Sequence, residues 1–380
     1  MPDFCNKRPK GHQPLIGSRR MRDFGLRKSL YLPLTAFLIF ILLICFVRHH
    51  HHGSLQKGVR EVIDLKPRSI NRLQEEFIRV LRRTTMPDRT VILTMVDETL
   101  ASPGSLLEIL LQSFKNGEGT QRLLNHLMII TMDPQAFEYC SSLHPHCIHP
   151  STFPRSFATK TQSNNATPNY NIFTWTRNDV LLEVLRFGYS IIFTDADVLW
   201  LRSPLINFNP ISEISISCGW GSDGQKNYLH DGGVFYLKAN AISFEFFKHW
   251  KLAKVLYPNS NYGEESMCVT ILRRQDIVKM YGFRIQPVNT TSFGGFCQLN
   301  KDMLKTAYTI RANCCDDLTS KVHDLRNVLE DWIHFRNRNS VSGDDSSDKM
   351  VLRWPQKCSR RKYKIRTEPG TVSSQVFRKN

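Results

Sequence analysis

Short apolar runs alternate with helical stripes between residues 91 and 333. The runs, which have the length and composition of buried strands, lie at residues 91–96, 126–131, 190–194, 214–217 and 234–237. Apolar residues at helical spacing separate several of them, at residues 106–114, 175–185 and 322–333. This alternation predicts an α/β fold in which helices flank a mostly parallel sheet.

Two further apolar segments precede this region. Residues 30–47 carry no charge over eighteen positions, which is near the lower limit for a bilayer-spanning helix. Basic residues crowd its N-terminal side, so the positive-inside rule places the N-terminus in the cytosol. A cleaved signal peptide is the alternative, but the run is longer than a usual signal core and no small-residue cleavage site follows it. The second segment, residues 70–81, has a helical stripe, and we interpret residues 48–88 as a stem.

The net charge of +17 is concentrated at the two ends of the chain. Residues 1–28 contribute +6 and residues 336–380 contribute +8, which leaves +3 for the middle. A nucleic-acid-binding body would carry a basic face, so the nearly balanced middle argues against nucleic acid as a partner. We interpret the polar and basic residues 336–380 as a flexible tail.

Eight of the ten cysteines lie on the predicted far side of the membrane, where an oxidising compartment favours disulfides. Cys140 and Cys147 are close enough in sequence to bridge a short loop. Cys297, Cys314 and Cys315 form a second candidate cluster. The spacing does not suit zinc, so disulfides are the favoured interpretation.

Two sequons, at Asn165 and Asn289, predict N-glycosylation on the same side. Pro168 directly follows the first sequon. Asn289 is therefore the stronger candidate of the two.

One predicted strand, residues 190–194, runs directly into Asp195-Ala-Asp197. Ligands of parallel sheets gather at the carboxyl ends of the strands, and two carboxylates there can bind one hard divalent cation. Such a cation would take up charge on a diphosphate leaving group. The pair therefore predicts a sugar-nucleotide transferase, and a turn or helix-cap pair is the structural alternative.

A phosphatase of the haloacid dehalogenase type also places Asp-x-Asp after a strand, with the first aspartate as nucleophile. Such enzymes carry Thr or Val two residues after the second aspartate, where this chain has Leu199. They also place the motif near the start of the domain, whereas two predicted strands precede it here. The transferase remains the favoured interpretation.

Short segments outside the aspartate pair complete a family pattern. They are Ser-Pro-Gly-Ser (102–105), Leu-His-Pro-His-Cys (143–147), the stretch 187–204, Gly232-Gly233, Phe-Gly-Gly-Phe-Cys (293–297), Ala-Asn-Cys-Cys (312–315) and Lys-Val-His-Asp-Leu (321–325). Together they resemble the plant nucleotide-diphospho-sugar transferases of glycosyltransferase family 77. The resemblance implies a GT-A fold, a UDP-sugar donor, a manganese or magnesium ion and retention at the anomeric carbon. It also implies a Golgi enzyme that transfers a pentose or galactose to a cell-wall polysaccharide or glycoprotein.

The resemblance assigns roles to the matching positions of the nucleotide site. Asp195 and Asp197 would bind the metal, and Asp195 would also bind the ribose. Thr94 and Asp97, at the end of the first strand, would hold the nucleoside, although Asp97 equally suits a turn. Arg177 would pair with phosphate or, alternatively, form a salt bridge on the helix surface with Asp179.

Other matching positions would lie near the transferred sugar. Gly232 and Gly233 would let the backbone approach the donor sugar, although an ordinary hairpin turn is the alternative. Asp231 and Glu264 are the candidate catalytic carboxylates. Glu264 would orient the acceptor hydroxyl or stabilise positive charge at the anomeric carbon, unless its acidic loop is simply exposed.

Three positions depart from the family pattern. Asp231 replaces an asparagine, Ser266 an aspartate, and Arg311 a histidine that is the third metal ligand in many GT-A enzymes. Arginine cannot ligate a metal, but it binds diphosphate. Arg311 would then support the leaving phosphate beside or instead of metal, or the chain would be a weakened or inactive homologue that binds nucleotide-sugar or glycan. His323 is a possible substitute ligand.

The predicted organisation is that of a single-pass type II Golgi membrane protein. From the N-terminus its parts are a cytosolic basic tail (1–29), a membrane anchor (30–47), a stem (48–88), a luminal GT-A domain (89–335) and a basic tail (336–380). Its expected partners are a UDP-sugar donor, a glycan or glycoprotein acceptor, and the membrane.

Overall fold

The computed structural model describes part of the chain in detail: residues 72–149, 170–222, 227–256, 267–268, 271, 274–298, 303–315, 317–341, 352–353 and 355–358. All of them belong to one unit, Glu61–Asn380. The predicted cytosolic tail and membrane anchor lie outside the described residues. Within those described residues, no helix is both long enough and apolar enough to cross a membrane.

Strands and helices alternate along the described residues. The strands are β1 (Thr90–Val96), β2 (Leu127–Thr131), β3 (Cys147–Ile148), β4 (Ser190–Thr194), β5 (Val198–Trp200), β6 (Ile214–Ser222), β7 (Asn227–Leu237), β8 (Ile285–Pro287), β9 (Phe293–Gly295) and β10 (Thr309–Arg311). The α-helices are α1 (Arg72–Thr84), α2 (Leu106–Asn116), α3 (Pro134–Leu143), α4 (Tyr170–Arg186), α5 (Ala241–Leu256), α6 (Gln275–Tyr281), α7 (Met303–Thr306) and α8 (Leu318–Val341).

The large sheet has the strand order β3-β2-β1-β4-β7-β6-β8. Its first four strands are parallel, whereas β7 runs antiparallel to both β4 and β6. A small second sheet has the order β5-β10-β9. The prediction of an α/β fold with a largely parallel central sheet is confirmed.

Both faces of the large sheet are covered, which explains why β1, β2 and β4 consist mostly of apolar residues. Ile92 faces a cluster that includes Phe114 of α2 and Trp332 of α8. Leu93, the next residue along β1, faces a second cluster that includes Phe246 of α5. Since successive side chains point to opposite faces, a strand between two apolar layers carries apolar residues on both of its faces.

The helix α1 belongs to the sheet domain, although its residues were predicted to form part of a stem. Phe77 is 2% exposed and Leu81 is fully buried, both in the second apolar cluster. The predicted stripe therefore packs on the sheet. The domain begins before residue 89.

The C-terminal part of the domain also extends beyond its predicted end at residue 335. The helix α8 continues to Val341, and a disulfide joins Cys315 to Cys358. The buried Asp324 carboxylate of α8 accepts backbone hydrogen bonds from Gln356, Lys357 and Cys358, at 3.1, 2.9 and 2.7 Å. The segment around Cys358 thus packs against α8 instead of starting a flexible tail.

The disulfides match the predicted pairs in part. Cys140 and Cys147 form the predicted short bridge, and Cys297 pairs with Cys314 within the predicted cluster. A third bridge, between Cys218 and Cys268, was not predicted. Cys315 pairs outside the cluster, because its side chain faces the C-terminal segment described above.

We expect the buried carboxylate of Glu213 to be a main source of acid sensitivity. It accepts bonds from the backbone N–H and guanidinium of Arg284 and from the amide of Asn240. Burial alone would raise the pKa of Glu213, but these donors outweigh it and hold the pKa at about 2 instead of 4.5. Because the pKa of Glu213 is lower in the folded state than in the unfolded state, the ionised carboxylate stabilises the fold at any pH above its ordinary pKa of 4.5. This stabilisation is lost progressively as the pH falls from 4.5 towards about 2.

The variant Glu213→Gln should lower the free energy of unfolding at neutral pH by about 2 kcal/mol, because the buried side chain would lose acceptors for the backbone N–H of Arg284 and the amide of Asn240. The difference from wild type should shrink in acid, and denaturant unfolding at several pH values would measure it. Glu245→Gln, which breaks a surface pair with Lys248, is the control and should cost about 0.5 kcal/mol or less. Equal costs for the two variants would contradict the prediction.

Candidate active site

The site lies where β4 ends, at the carboxyl edge of the parallel strands. Asp195 follows the last residue of β4, and its backbone N–H donates to the carbonyl oxygen of Gly233 at 2.9 Å. Asp197 immediately precedes β5. The chain turns between the large and the small sheet at this point, which brings both aspartates to the junction of the two sheets.

The small sheet brings Arg311 to the aspartate pair. Strands β5 and β10 are antiparallel, and Arg311 lies opposite Val198. The backbone N–H of Ala312 donates to the carbonyl oxygen of Asp197 at 2.9 Å. Strand pairing therefore fixes Arg311 beside residues that precede it by more than a hundred positions.

The guanidinium of Arg311 contacts three carboxylates. Its Nη2 lies 2.7 Å from Oδ2 of Asp195, its Nε lies 3.2 Å from Oδ1 of Asp197, and its Nη1 lies 3.3 Å from Oδ1 of Asp231. These side chains are 7 to 22% exposed. The three aspartates and Arg311 thus form one partly buried ionic cluster, which we call the acidic cluster.

Asp231 reaches the acidic cluster through an irregularity in β7. Residues 232–234 lie opposite the single residue Ser217 of β6, so the predicted tight loop is a bulge within a strand. Gly233 has φ +69°, and its backbone N–H donates to Oδ1 of Asp231 at 2.9 Å. A Cβ on Gly233 would lie 2.8 Å from Cδ of Arg311 and 2.9 Å from a methyl group of Val198. The backbone therefore requires glycine here both for its conformation and for the passage of the Arg311 side chain.

Lys321 is a second cation at the acidic cluster, and the sequence analysis assigned it no role. Its Nζ lies 2.5 Å from Oδ2 of Asp197. It stands in the first turn of α8, which Asp317 caps by accepting a hydrogen bond from the backbone N–H of Ser320 at 2.8 Å. A cation is unfavourable near the positive end of a helix dipole. A lysine at this position was the signal that an anion lies opposite.

The two aspartates of the pair have opposite pKa shifts. Burial raises the pKa of Asp195, and the neighbouring Asp197 and Asp231 add to this rise, while Arg311 opposes it. Burial acts in the same direction on Asp197, but Lys321 and Arg311 outweigh it and lower the pKa of that carboxyl. The charged form of Asp197 is thus stabilised by the two cations that contact it.

Arg177 of α4 is a further cation that acts on the cluster. Its side chain is buried, its guanidinium carbon lies 5.6 Å from the ring centre of Phe193, and its charge lowers the pKa of Asp195. Nε of Arg177 has no hydrogen-bond partner among the described residues. Asp179, the alternative partner, forms an ion pair with Lys251 of α5 at 3.2 Å. This placement favours the phosphate role over the surface salt bridge.

The two residues predicted to hold the nucleoside differ in their surroundings. Thr94 is fully buried in β1, and its hydroxyl has no partner among the described residues. Oδ1 of Asp97 accepts bonds from the backbone N–H groups of Thr99 and Leu100, both at 3.1 Å, and from the Thr99 hydroxyl at 2.6 Å. Asp97 thus has the turn role that the sequence left open as the alternative.

Several other predicted residues lie away from the cluster or outside the described part. Glu264, Ser266 and Asn165 lie outside the described residues. Asn289 is exposed in the turn before β9, a position open to glycosylation. His323, the possible substitute ligand, contacts Asp324 at 2.8 Å, on the side of α8 that faces the C-terminal segment.

The carboxylates do not fit the predicted divalent cation in this arrangement. Both oxygens of Asp197 and one oxygen of Asp195 contact Arg311 or Lys321. At about 4 Å and an effective dielectric constant of about 20, each of these unit charges would repel a divalent cation by about 8 kcal/mol. Among the described residues, no group of three or more His, Cys, Asp or Glu side chains is arranged to hold a metal. The manganese or magnesium predicted for Asp195 and Asp197 thus has two side-chain cations in its place.

The α/β fold places acidic residues at the carboxyl end of a central strand, the edge at which sheets of this class bind ligands. The sequence model described as nucleotide-diphospho-sugar transferase matches residues 122–325, more than half of the chain. This chain belongs to the nucleotide-diphospho-sugar transferase family.

Similar proteins include two uncharacterized proteins of Arabidopsis thaliana. At1g28695 is 32% identical over 281 residues, which cover 69% of this chain and 83% of that protein. At4g15970 is 29% identical over 286 residues, 74% of this chain and 72% of that protein. Among solved structures, the bifunctional glycosyltransferase WbbM aligns at 10% identity and a TM-score of 0.38, over 67% of this chain and 52% of that one. No conclusion about substrates follows from a likeness this distant.

Proposed function

We propose that this chain transfers a sugar, a pentose or galactose, from a UDP-sugar to a cell-wall polysaccharide or glycoprotein, with retention at the anomeric carbon. One observation carries the proposal: in a member of the nucleotide-diphospho-sugar transferase family, Asp195 and Asp197 stand at the carboxyl end of a buried central strand. This edge is where sheets of this class bind ligands.

In the proposed reaction, the bond between the anomeric carbon and the β-phosphate oxygen breaks, and UDP leaves with the bonding electrons. The acceptor hydroxyl forms the new bond to the same face of the carbon, and its proton passes to an oxygen of the departing diphosphate. Arg177 would hold a phosphate and the Thr94 hydroxyl would serve the nucleoside; the buried Nε and hydroxyl, which have no partner among the described residues, support these roles. Glu264 keeps its predicted role at the acceptor. No metal step is part of the proposal, because cationic side chains contact the carboxylates.

We further propose that the domain works in the Golgi lumen, anchored through residues 30–47. The uncharged segment and the basic residues before it support this topology. Four disulfides among the described residues are typical of a compartment on the secretory route. Immunogold labelling or protease protection of intact vesicles would test it, and cleavage of the domain in sealed vesicles would contradict it.

The full chain, purified in detergent, should release UDP from one of a panel of UDP-pentoses and UDP-hexoses, and should do so faster with an acceptor glycan. Asp197→Asn should lower this rate by about 100-fold or more, since the group that orients both cations becomes neutral. Asp276→Asn, in an exposed pair with Arg274, is the matched control and should keep the wild-type rate. UDP binding without release from any donor would instead identify a non-catalytic nucleotide-sugar-binding protein.

A further inference from the structure

The side chains of the acidic cluster nearly balance one another in charge. Three carboxylates, Asp195, Asp197 and Asp231, face the cations Arg311 and Lys321. Three carboxylates and two cations leave one negative charge. The charge of Arg177, which is more than nine-tenths buried, acts on Asp195 and offsets it. A divalent cation held by two aspartates would give the same overall balance. The side chains therefore supply the charge that a metal would otherwise bring.

The fold builds this arrangement from separate elements. Strand pairing between β5 and β10 fixes the backbone of Arg311, and the bulge in β7 leaves room for its side chain only because residue 233 is glycine. The capped first turn of α8 carries Lys321 to Asp197. Since each cation depends on a specific local structure, the contacts are a property of the fold and not of two flexible surface side chains.

We propose that Arg311 and Lys321 together replace the divalent cation and stabilise the diphosphate of the departing nucleotide, so that binding and turnover are independent of metal. This inference rests on the proposed function. The side chains of Arg311 and Lys321 are 20% and 26% exposed, so both reach the surface where a donor must enter. Guanidinium and ammonium groups bind phosphate through charge-assisted hydrogen bonds. The aspartates act as positioning residues that hold the two cations.

Calorimetric titration of UDP into the full chain tests the proposal without depending on turnover. After exhaustive EDTA treatment, UDP should bind with the same affinity as in the presence of Mn²⁺, and release of UDP from the donor should be equally unaffected. Lys321→Met should weaken UDP binding by about 10- to 100-fold, with or without Mn²⁺. Lys248→Met, which removes a lysine paired with Glu245 on α5, is the matched control and should bind UDP like wild type.

The opposing outcomes are distinct. If EDTA abolishes UDP binding and turnover and Mn²⁺ restores both, the replacement of the metal is wrong while the proposed function stands. Binding of Mn²⁺ to the free protein, detected by loss of its electron paramagnetic resonance signal, would overturn the proposal in the same way. If UDP neither binds nor is released from any donor with or without metal, the proposed function itself fails. If the folded Lys321→Met variant bound UDP with the wild-type affinity, Lys321 would have no role in binding the diphosphate.

Discussion

Replacing Gly233 by alanine is expected to lower both the stability of the domain and the rate of sugar transfer. The positive φ of this residue already disfavours a side chain, and the new Cβ would overlap Cδ of Arg311 and a methyl group of Val198. We expect a loss of about 3 kcal/mol in the free energy of unfolding, the sum of backbone strain and overpacking. A displaced guanidinium should also reduce turnover by about 100-fold, as small misplacements of catalytic groups do.

Gly282→Ala is the control that measures the cost of backbone strain without any steric overlap. Gly282 has a similar φ of +62° at the end of α6, but a Cβ there would meet no atom within 4 Å. This variant should cost about 1 kcal/mol and leave turnover unchanged. Denaturant unfolding and initial rates of UDP release would compare the two variants. Equal turnover in both would show that the position of Arg311 does not matter for the reaction.

Removing the disulfide between Cys315 and Cys358 should strongly destabilise the domain. The bridge spans 43 residues, and the loss of this constraint on the unfolded chain is worth about 4 kcal/mol. The double variant Cys315→Ala with Cys358→Ala should therefore unfold at a much lower denaturant concentration than the wild type. Turnover should fall as well, because the first turn of α8 carries Lys321.

The bridge between Cys140 and Cys147 is the matched comparison. It closes a loop of only 7 residues, so its removal should cost about 2 kcal/mol and should not affect turnover. Tm and denaturant midpoints of the two double variants would rank them. A larger effect for the short bridge would mean that local strain or packing, and not loop closure, determines the contribution of these disulfides.

The alternation of apolar runs and helical stripes was sufficient to predict the sheet domain. The strands predicted at residues 91–96, 126–131 and 190–194 match β1, β2 and β4 to within one residue, because these strands are mostly apolar. The strands predicted at 214–217 and 234–237 are only parts of β6 and β7, which continue through polar residues and glycines. The first and last residues of the domain were harder to predict. The stripe that includes Phe77 gave no sign that it packs on the sheet, and the segment near Cys358 is too polar to predict its contact with Asp324. Both limits depend on tertiary contacts that have no local pattern.

The part of the site that follows directly from a predicted strand could be inferred from the sequence. The aspartate pair follows a strand directly, so its position at the sheet edge could be inferred from neighbouring residues. Arg311 and Lys321 reach it only through the pairing of β5 with β10 and the direction of α8, which are long-range features. The bulge that places Asp231 is likewise invisible in a two-residue glycine motif.

The departures from the family pattern at positions 231 and 311 have a joint explanation. Asp231 and Arg311 contact each other at 3.3 Å. A lone arginine would add a positive charge to the cluster, and the aspartate compensates for it. This pairing favours a site that works with side-chain cations over a site that has lost activity. The comparison of UDP binding and turnover with EDTA and with Mn²⁺ decides between the two.

The disulfide between Cys315 and Cys358 also links the site to the order of biosynthesis. Cys358 emerges from the ribosome 43 residues after its partner, so the start of α8, which carries Lys321, is covalently secured only after residue 358 has been synthesised. Until then, Cys315 is a thiol next to the bridge between Cys297 and Cys314, and thiol–disulfide exchange can form the wrong pair. A nonsense mutation just before Cys358 would therefore leave Cys315 unpaired beside the acidic cluster.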